Sequence, residues 1–485
     1  MLDCMKPSLA RPLALTLGMV LLIPAPPAWA TCGGGGGGGM GGIRSGGDPG
    51  MNDQVYHVPW KLIKPEDPPV SAGIVLYWFP TGGDELKRSS LRVSRSLSLY
   101  ASQCVTMGVV DAGTPLGQKL VPGDKLPVAV LAEPDGTMLG KAENEKGFLK
   151  VEQVEKLVES EFKKRESALK ERMESAKQKT KSGDNSGAIQ EFRTVLQQKC
   201  LFPKLAKDAA KELKKLGVTD VGQLIDAPVL DPRESKRIER VMREGLKAED
   251  SAKYTEAERL YAQAHRMDPA DPAPLRYLGE LYRHHTGEWV KARHVFEEIL
   301  AKPADPISRA VAQHGLGKMT IHDGEFKKGL ALLESSVQTF PLALAYRNLA
   351  VYWNSEGDAA KTDTYVRLAL SLDPKDPYNI VFAAVFSAGN GHSAEALKIA
   401  RANQALLPAS YNLAAIYAQA GQGKKALALL QRHFFEYERY PAVRSKEMME
   451  ARVDAVFVSI RNDPEFLSLT SGADAKLEMP VAAFP

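Results

Sequence analysis

Residues 245–269 read GLKAEDSAKYTEAERLYAQAHRMDP, and side-chain size in this stretch follows an ordered spacing. Gly245 is followed by a second small residue twelve positions later, then by a bulky residue, a small residue and a proline: Ala257, Tyr261, Ala264 and Pro269. Small side chains let two helices approach closely, and a bulky one fills the space between them. Proline is tolerated at a helix boundary. The stretch therefore predicts two antiparallel helices joined by a turn.

The same order of sizes returns along the chain, in part upstream and with small departures downstream. The matching sets are Ala176, Ala188, Phe192, Val195; Gly279, Ala292, Phe296, Ile299, Pro303; Gly317, Gly329, Leu333, Ser336, Pro341; Ala350, Thr362, Val366, Ala369, Pro374; Ala384, Ala396, Ala400, Asn403, Pro408; and Ala414, Ala426, Leu430. The pattern resembles the tetratricopeptide repeat, a helix pair of about 34 residues. The resemblance implies an all-α solenoid at residues 232–440. It also implies a degenerate unit within a charged helical segment at 167–231, and capping helices and a tail at 441–485.

In the family that these repeats resemble, the first helix of each unit lines a concave face that binds peptides or extended protein segments. The residues that would point inward, assigned here as partner-binding, are Arg276, Arg283, His284, His314, Lys318, His322, Arg347, Asn354, Tyr378 and Tyr411. This face would be basic at one end and apolar and aromatic at the other. It suits a segment with a carboxylate end and an apolar tail. The alternative is that these charges lie solvated on ordinary helix faces.

A different pattern precedes the repeats. The stretch GIVLYWFPTGGDEL at 73–86 predicts a buried strand at 73–79, a break at 80–83 and a helix from Asp84 to about Ala101. Further strands are expected near residues 55–63 and at 104–112. They are followed by a hairpin of Val128–Ala132 with Thr137–Lys141, and by a helix from Leu149 to about Lys164.

This order of elements, together with KLPVAVLAEPDGTMLGK at 125–141, resembles the thioredoxin-like fold. The resemblance implies an α/β domain at residues 54–166, in which Pro127 is the cis-proline that opens a strand. The family's redox chemistry uses two cysteines at C-x-x-C spacing after the residue that stands here as Trp78, and residues 80–83 contain neither. A redox-silent domain is therefore expected, with a second docking surface for extended backbone beside Pro127. Cys104 is expected to be a small core residue.

The N-terminal residues have the pattern of a secretory targeting signal. Lys6 and Arg11 precede the apolar run 13–23 and an Ala28-Trp29-Ala30 cleavage site, which predicts a signal peptide at residues 1–30. A glycine-rich flexible tether at 31–53 follows. We therefore expect an exported protein, periplasmic or extracellular and associated with a bacterial cell envelope. A retained N-terminal anchor, and a lipid or disulfide tether at Cys32, remain alternatives. Apart from the N-terminus, no run of eighteen apolar residues predicts a membrane span.

Composition and motifs argue against several classes of function. The net charge is +4, from 63 basic and 59 acidic residues, and the charged helical stretch at 155–181 mixes both signs, so no nucleic-acid partner is expected. The histidines His284, His285 and His294 lack a further ligand that would complete a zinc site. No nucleophile, zincin or phosphate-loop motif is present, and no cofactor or metal is expected.

The sequence thus predicts a multidomain scaffold rather than an enzyme: a thioredoxin-like domain followed by a tetratricopeptide solenoid that binds a protein or peptide of the cell envelope. The main alternative is a thiol–disulfide oxidoreductase accessory, or an envelope-protein maturation factor, that uses Cys104 or Cys200. A third reading is a structural subunit of a surface complex, tethered through Cys32.

Overall fold

The computed structural model describes residues 55–68, 70, 72–224, 226–372, 374–404, 411–437 and 441–471. The predicted signal peptide, the glycine-rich tether, Cys32 and Pro408 lie outside these residues. The described chain is mostly helical, with a small mixed sheet near its N-terminal end. None of the helices in these ranges is long and apolar enough to cross a membrane.

Five short strands form the sheet: β1 Lys61–Leu62, β2 Ile74–Phe79, β3 Val105–Val109, β4 Val128–Ala132 and β5 Met138–Glu143. Their order is β1-β3-β2-β4-β5. Both β1 and β2 run parallel to β3, whereas β4 runs antiparallel to β2 and to β5. Every residue of β2 is buried because the strand is central and both faces of the sheet are covered. The peptide bond before Pro127, where β4 begins, is cis.

The segment between β2 and β3 differs from the single helix expected at residues 84–101. It contains α1 Gly83–Arg88, a 3₁₀ turn Ser90–Arg92 and α2 Arg95–Ser102. The helix is interrupted because two serine side chains start new turns. Ser89 accepts a hydrogen bond from the amide of Leu91, and Ser94 accepts one from the amide of Leu97.

The rest of the described chain consists largely of helices. They are α3 Pro115–Leu120, α4 Val151–Lys181, α5 Asn185–Gln197, α6 Pro203–Lys215, α7 Pro232–Asp250, α8 Tyr254–Met267, α9 Pro272–Glu280 with a π-helical extension Leu281–Thr286, α10 Trp289–Ala301, α11 Pro306–His322, α12 Phe326–Thr339, α13 Ala343–Ser355, α14 Ala359–Leu372, α15 Pro377–Gly389, α16 Ser393–Asn403, α17 Tyr411–Gln419, α18 Gly423–Arg432 with a π-helical extension His433–Tyr437, α19 Pro441–Val453, a 3₁₀ turn Ala455–Phe457 and α20 Pro464–Leu469. From α7 to α18 each helix packs against the next, so the region is a row of six hairpins, α7/α8 to α17/α18.

The spacing of small and bulky residues corresponds to close helix contacts. Gly245 of α7 lies so near the Tyr261 ring of α8 that a Cβ would collide with the ring, and Gly279 of α9 stands in the same relation to Phe296 of α10. The bulky ring fills the space that the missing side chain leaves. The packing within these two hairpins therefore follows the size pattern read from the sequence.

Among the helices in the described ranges, five start with an Asp-Pro pair. The aspartate side chain accepts a hydrogen bond from a backbone amide of the first turn, and the proline occupies the first helical position, where a missing N–H costs little. The capping residues are Asp231, Asp271, Asp305, Asp376 and Asp463. Two of them, Asp271 and Asp305, are only 1% exposed. Both have further donors: the Ser308 hydroxyl donates to Asp305, and Tyr56 and Arg95 donate to Asp271.

The boundary expected between residues 166 and 167 lies inside the continuous helix α4. The first half of α4 contributes Val154 and Val158 to the core beneath the sheet. The second half contributes Met173 and Ala176 to the same core, together with Phe192 of α5. One apolar core therefore extends from the sheet into α4, α5 and α6.

A disulfide between Cys104 and Cys200 reinforces this continuity, with the two Cα atoms 5.8 Å apart. Cys104 directly precedes β3, and Cys200 lies between α5 and α6. The expectation that Cys104 is an ordinary core residue is wrong: it is half-buried and covalently paired. The two cysteines are 96 positions apart, and only the tertiary packing brings them together.

A buried ionic cluster joins α2 to the row of hairpins. The Arg95 guanidinium donates to Asp268 at 2.6 Å and to Asp271 at 3.1 Å, and the three side chains are at most 1% exposed. The Tyr56 hydroxyl donates to the same Asp271 carboxylate at 2.7 Å, and Arg95 also donates to Ser235 of α7 at 2.6 Å. Buried charges are stable only with partners in good geometry. The cluster therefore holds the sheet against the hairpins in one arrangement.

Breaking the disulfide should lower stability substantially. The Cys104→Ser, Cys200→Ser and double variants all remove the same bond across 96 positions, so each should lose about 4–5 kcal/mol of unfolding free energy in the chain-entropy description. Urea unfolding of the oxidised wild type and the three variants measures this. A double variant as stable as the oxidised wild type would contradict the assignment.

Removing the charge at the centre of the buried cluster should cost more than removing an exposed ion pair. Arg95→Met leaves two buried carboxylates without their cation and should lower the free energy of unfolding by about 3–5 kcal/mol. Arg367→Met is the matched control, because Arg367 pairs with Asp363 where both side chains are about two-thirds exposed. Its effect should stay within about 1 kcal/mol. Similar losses for both variants in urea unfolding would rule out a stabilising role for the cluster.

Candidate binding pocket

A cavity of about 190 Å³ lies between helices α11, α12, α13, α15, α17 and α19. We call it the helix-lined pocket. Four of these helices, α11, α13, α15 and α17, are the first members of successive hairpins. Because hairpins that stack in a row present their first helices to one common side, these four share the pocket wall.

Most of the pocket wall is apolar or aromatic. Its residues of this kind are Ile321, Phe326, Leu330, Val351, Tyr352, Phe382, Val385, Phe386, Tyr411, Ala415, Val453 and Val456. Phe382 and Phe386 pack edge to face, with ring centroids 5.1 Å apart. An apolar wall with a few converging polar groups is the usual composition of a site that takes an apolar part of a ligand.

One end of the pocket carries an ionic cluster. Glu450 of α19 lies 3.2 Å from the Lys318 ammonium and 2.7 Å from Nε2 of His322, and both of these residues belong to α11. Burial disfavours the charged carboxylate, but Lys318 and His322 outweigh burial and lower the pKa of Glu450 to about 2. The carboxylate is therefore ionised at neutral pH and holds α19 against α11.

A second carboxylate lies nearby. Asp454 accepts a hydrogen bond from the Tyr411 hydroxyl at 3.1 Å, and it caps the 3₁₀ turn through the amide of Val456. Burial raises the pKa of Asp454 above its usual range. Burial and the neighbouring Asp454 charge likewise raise the pKa of Tyr411, so its hydroxyl stays protonated and acts as the donor.

Helix α19 contacts the π-helical extension of α18 at the end of the row, where a terminal cap was expected at 441–485, and it reaches further. It contacts the π-helical extension of α9, and its Lys446 ammonium lies 3.2 Å from the centroid of the Trp289 ring in α10. Burial lowers the pKa of Lys446 to about 8. It is α20 that packs against α18, the last helix of the row. Helix α20 thus lies at the end of the row, and α19 connects the end of the row with the far side of the pocket.

Four of the residues assigned as partner-binding are engaged internally. Arg276 donates to the carbonyl of Val55 at 3.2 Å and to Ser308 at 3.3 Å. Arg283 and His284 both pair with Glu280, at 3.0 and 3.2 Å. His314 is completely buried, with Nε2 2.7 Å from the Asn348 side chain. In this arrangement, these four residues stabilise the helix packing and do not face an open groove.

The chain's own N-terminal segment, Val55 and Tyr56, covers the basic end. Both residues belong to the apolar cluster of α7 to α11, and each is 2% exposed. The next residue, His57, is buried too, and burial lowers its pKa, with Arg276 and Arg92 acting in the same direction. The basic end is thus closed by residues that were expected to belong to the α/β domain alone.

Five other assigned residues line the helix-lined pocket: Lys318, His322, Arg347, Asn354 and Tyr411. Arg347 donates to the Asn379 side chain at 2.6 Å, and Asn354 is exposed. Tyr378 lies beside the core of the last hairpins, outside the pocket lining. The pocket therefore gathers half of the assigned set.

Helix α19 and the 3₁₀ turn after it form part of the pocket wall, which was not predicted from the sequence. Glu450, Val453, Asp454 and Val456 all line the pocket, although residues beyond 441 had been assigned only a capping role. The sequence offered one indication that this segment contacts the array. Glu447 and Glu450 lie three positions apart, on one face of a helix, and could pair with the basic residues expected on the concave face.

Comparison with known proteins adds no assignment: no protein-family model matches the chain, and no curated protein matches it. Within the described ranges, no group of three or more His, Cys, Asp or Glu residues could hold a metal ion.

The Glu450 cluster should make stability depend on acid pH. Because its pKa in the folded chain is about 2, below the usual value, the stabilisation is present above about pH 4.5 and is lost as pH falls toward 2. Glu450→Gln should therefore be less stable than wild type at pH 7, and the difference should shrink below pH 4.5. Urea unfolding at a series of pH values measures this. Glu325→Gln, in an exposed pair with Lys328, is the control. A difference that stays constant with pH would contradict the charge assignment.

Proposed function

We propose that this chain is an adaptor that binds a partner protein or peptide through the helix-lined pocket. The observation that carries the proposal is the pocket wall: aliphatic and aromatic side chains from four first helices converge around one cavity, with charged groups at one end. A segment bearing an apolar or aromatic side chain fits such a wall, because burying that side chain contributes about 1.5–3 kcal/mol.

The repeat pattern supports this reading. Close contacts at Gly245 and Gly279 agree with the spacing that resembles tetratricopeptide repeats, a family whose first helices line a peptide-binding face. We assign the array at 232–440 to this class. For the N-terminal unit, the strand order and the cis bond before Pro127 support a thioredoxin-like fold. We propose that this unit is redox-silent and is a second docking module beside Pro127.

We also propose that the protein is exported to the cell envelope. The signal-peptide pattern at residues 1–30 lies outside the described residues, but the Cys104–Cys200 bond supports the same location outside the cytoplasm. Disulfides persist in oxidising compartments and are rare where glutathione and thioredoxin keep thiols reduced.

The alternative of a thiol–disulfide oxidoreductase accessory is not favoured. Catalytic dithiols of that class use a low-pKa cysteine at a helix N-terminus beside a second cysteine. Here the two cysteines are bonded to each other between the start of β3 and the α5–α6 connection, where the bond braces two packed elements. We therefore propose a structural role for this pair.

A defined peptide probe tests the adaptor function. Selection of a displayed random peptide library on the wild-type protein should enrich peptides with aromatic or branched apolar residues. The affinity of an enriched peptide should fall at least tenfold in Val351→Asp, because a carboxylate in the apolar wall opposes burial of the ligand.

Val290→Asp is the matched control, since Val290 of α10 is 87% exposed and lies outside the pocket lining. It should bind the enriched peptide like wild type. Failure to enrich any peptide, or equal binding by Val351→Asp, would rule out the pocket as the binding site.

A further inference from the structure

We propose that the surface beneath α19 is a binding site for a partner α-helix that carries a basic residue and, four positions later, an acidic one. Helix α19 is then the resident occupant that such a partner displaces. This inference rests on the proposed function, because α19 forms part of the wall of the helix-lined pocket.

Two receiving positions define the site. The first is the face of the Trp289 ring, which takes the Lys446 ammonium in a cation–π contact. The second is the pair of Lys318 and His322, which takes the Glu450 carboxylate. Residues four apart lie on one helix face, about 6 Å apart along the axis. The surface therefore fits a helix whose basic and acidic residues are four positions apart. The orientation of α19 shows how such a helix lies on it.

Other charges around α19 favour the same kind of ligand. Glu447 lies 3.0 Å from Nε2 of His433, which adds a second acidic contact on the helix. Burial lowers the pKa of Lys446, and the charges of Asp323, at the end of α11, and of Glu450 offset part of that effect. The surroundings thus match a helix with acidic residues toward α11 and His433, and a basic residue toward Trp289 and Asp323.

Helix α19 buries few apolar side chains, and those it does bury pack on the core of the last hairpins. Among its described side chains, only Met448 and Ala451 are buried. In the shorter helix α17, all six residues from Leu413 to Ala418 are buried. Apolar burial is the dominant source of packing energy, whereas partly exposed ion pairs contribute little and are screened by salt. A helix with the same charges and a better apolar face can therefore replace α19.

Displacement would also open the pocket. Val453 ends α19, and Val456 lies in the turn that follows. Both residues line the pocket, so this part of its wall moves if the helix leaves. A partner helix seated on Trp289 and Lys318 would place its C-terminal residues over Val351 and Phe382. Charge recognition by α11 and apolar capture by α13 and α15 would then act on one partner segment.

The probe for this inference is a fluorescently labelled peptide with the sequence of residues 441–453, PAVRSKEMMEARV, added to the full chain. Wild type should bind it weakly because α19 occupies the site. Glu450→Lys releases α19 by repulsion from Lys318 and should bind the peptide at least tenfold more tightly. Glu450→Ala is a second variant that removes the charge without adding one. Glu325→Lys, a charge reversal at an exposed pair, should bind like wild type.

A charge-swap arm tests the receiving position itself. The Lys318→Glu protein should bind a peptide that carries the Glu450→Lys change more tightly than the unmodified peptide. The Glu450→Lys protein, which keeps Lys318, should prefer the unmodified peptide. Far-UV circular dichroism and thermal melting establish that each variant folds, and sedimentation reports its oligomeric state.

Three results would overturn the inference: equal peptide binding by wild type, Glu450→Lys and Glu450→Ala; no inversion of preference in Lys318→Glu; or a Glu450→Lys dimer that exchanges α19 between copies. If the library-selected peptide still depends on Val351 in any of these cases, the adaptor function stands and only the helix recognition fails.

Discussion

The Asp271 carboxylate is the contact on which the arrangement of the sheet against the first hairpins depends. One oxygen caps α9 through the amide of Ala273, and the other accepts hydrogen bonds from Tyr56 and Arg95. A helix cap in the row of hairpins is thus also the anchor for α2 and for the N-terminal segment. Because the group is buried, it keeps its charge only while Arg95 stays beside it. The sheet, the first hairpins and the closure of the basic end all converge on this group.

The elements that could be predicted from the sequence are those whose signals are local. The strand expected at 73–79 forms over Ile74–Phe79, and the hairpin strand at 128–132 has the expected bounds, because β-forming residues and turn residues lie next to each other in the chain. The size pattern around Gly245 anticipated the close approach of α7 and α8, because each hairpin is formed within one stretch of sequence. Five of the ten residues assigned as partner-binding line the pocket, because helical periodicity determines which face they occupy, and their binding of a partner stays a prediction.

The contacts that could not be predicted join residues that are far apart in the sequence. The Cys104–Cys200 bond and the Arg95–Asp271 pair join residues 96 and 176 positions apart. No periodicity signals such pairs. The assigned groove charges illustrate the same limit. Arg276 and Arg283 were expected to meet a partner, but a guanidinium that becomes buried requires compensation within the fold, and the Val55 carbonyl and Glu280 provide it. His314 is buried as well, and its ring contacts Asn348. The position of α19 over the pocket arises likewise from contacts with α10 and α11, which lie far upstream.

The seating of the N-terminal segment also constrains the order in which the protein assembles. Tyr56 meets its partner Asp271 215 positions later, and Val55 is held by Arg276 221 positions later. Chains emerge N-terminus first, and early segments generally fold as soon as their own contacts exist. The central strands can pair early, but residues 55–57 have no seat until α9 has been made and packed. The first described residues of the chain are therefore among the last to reach their final position, and their docking marks the completion of the first hairpins.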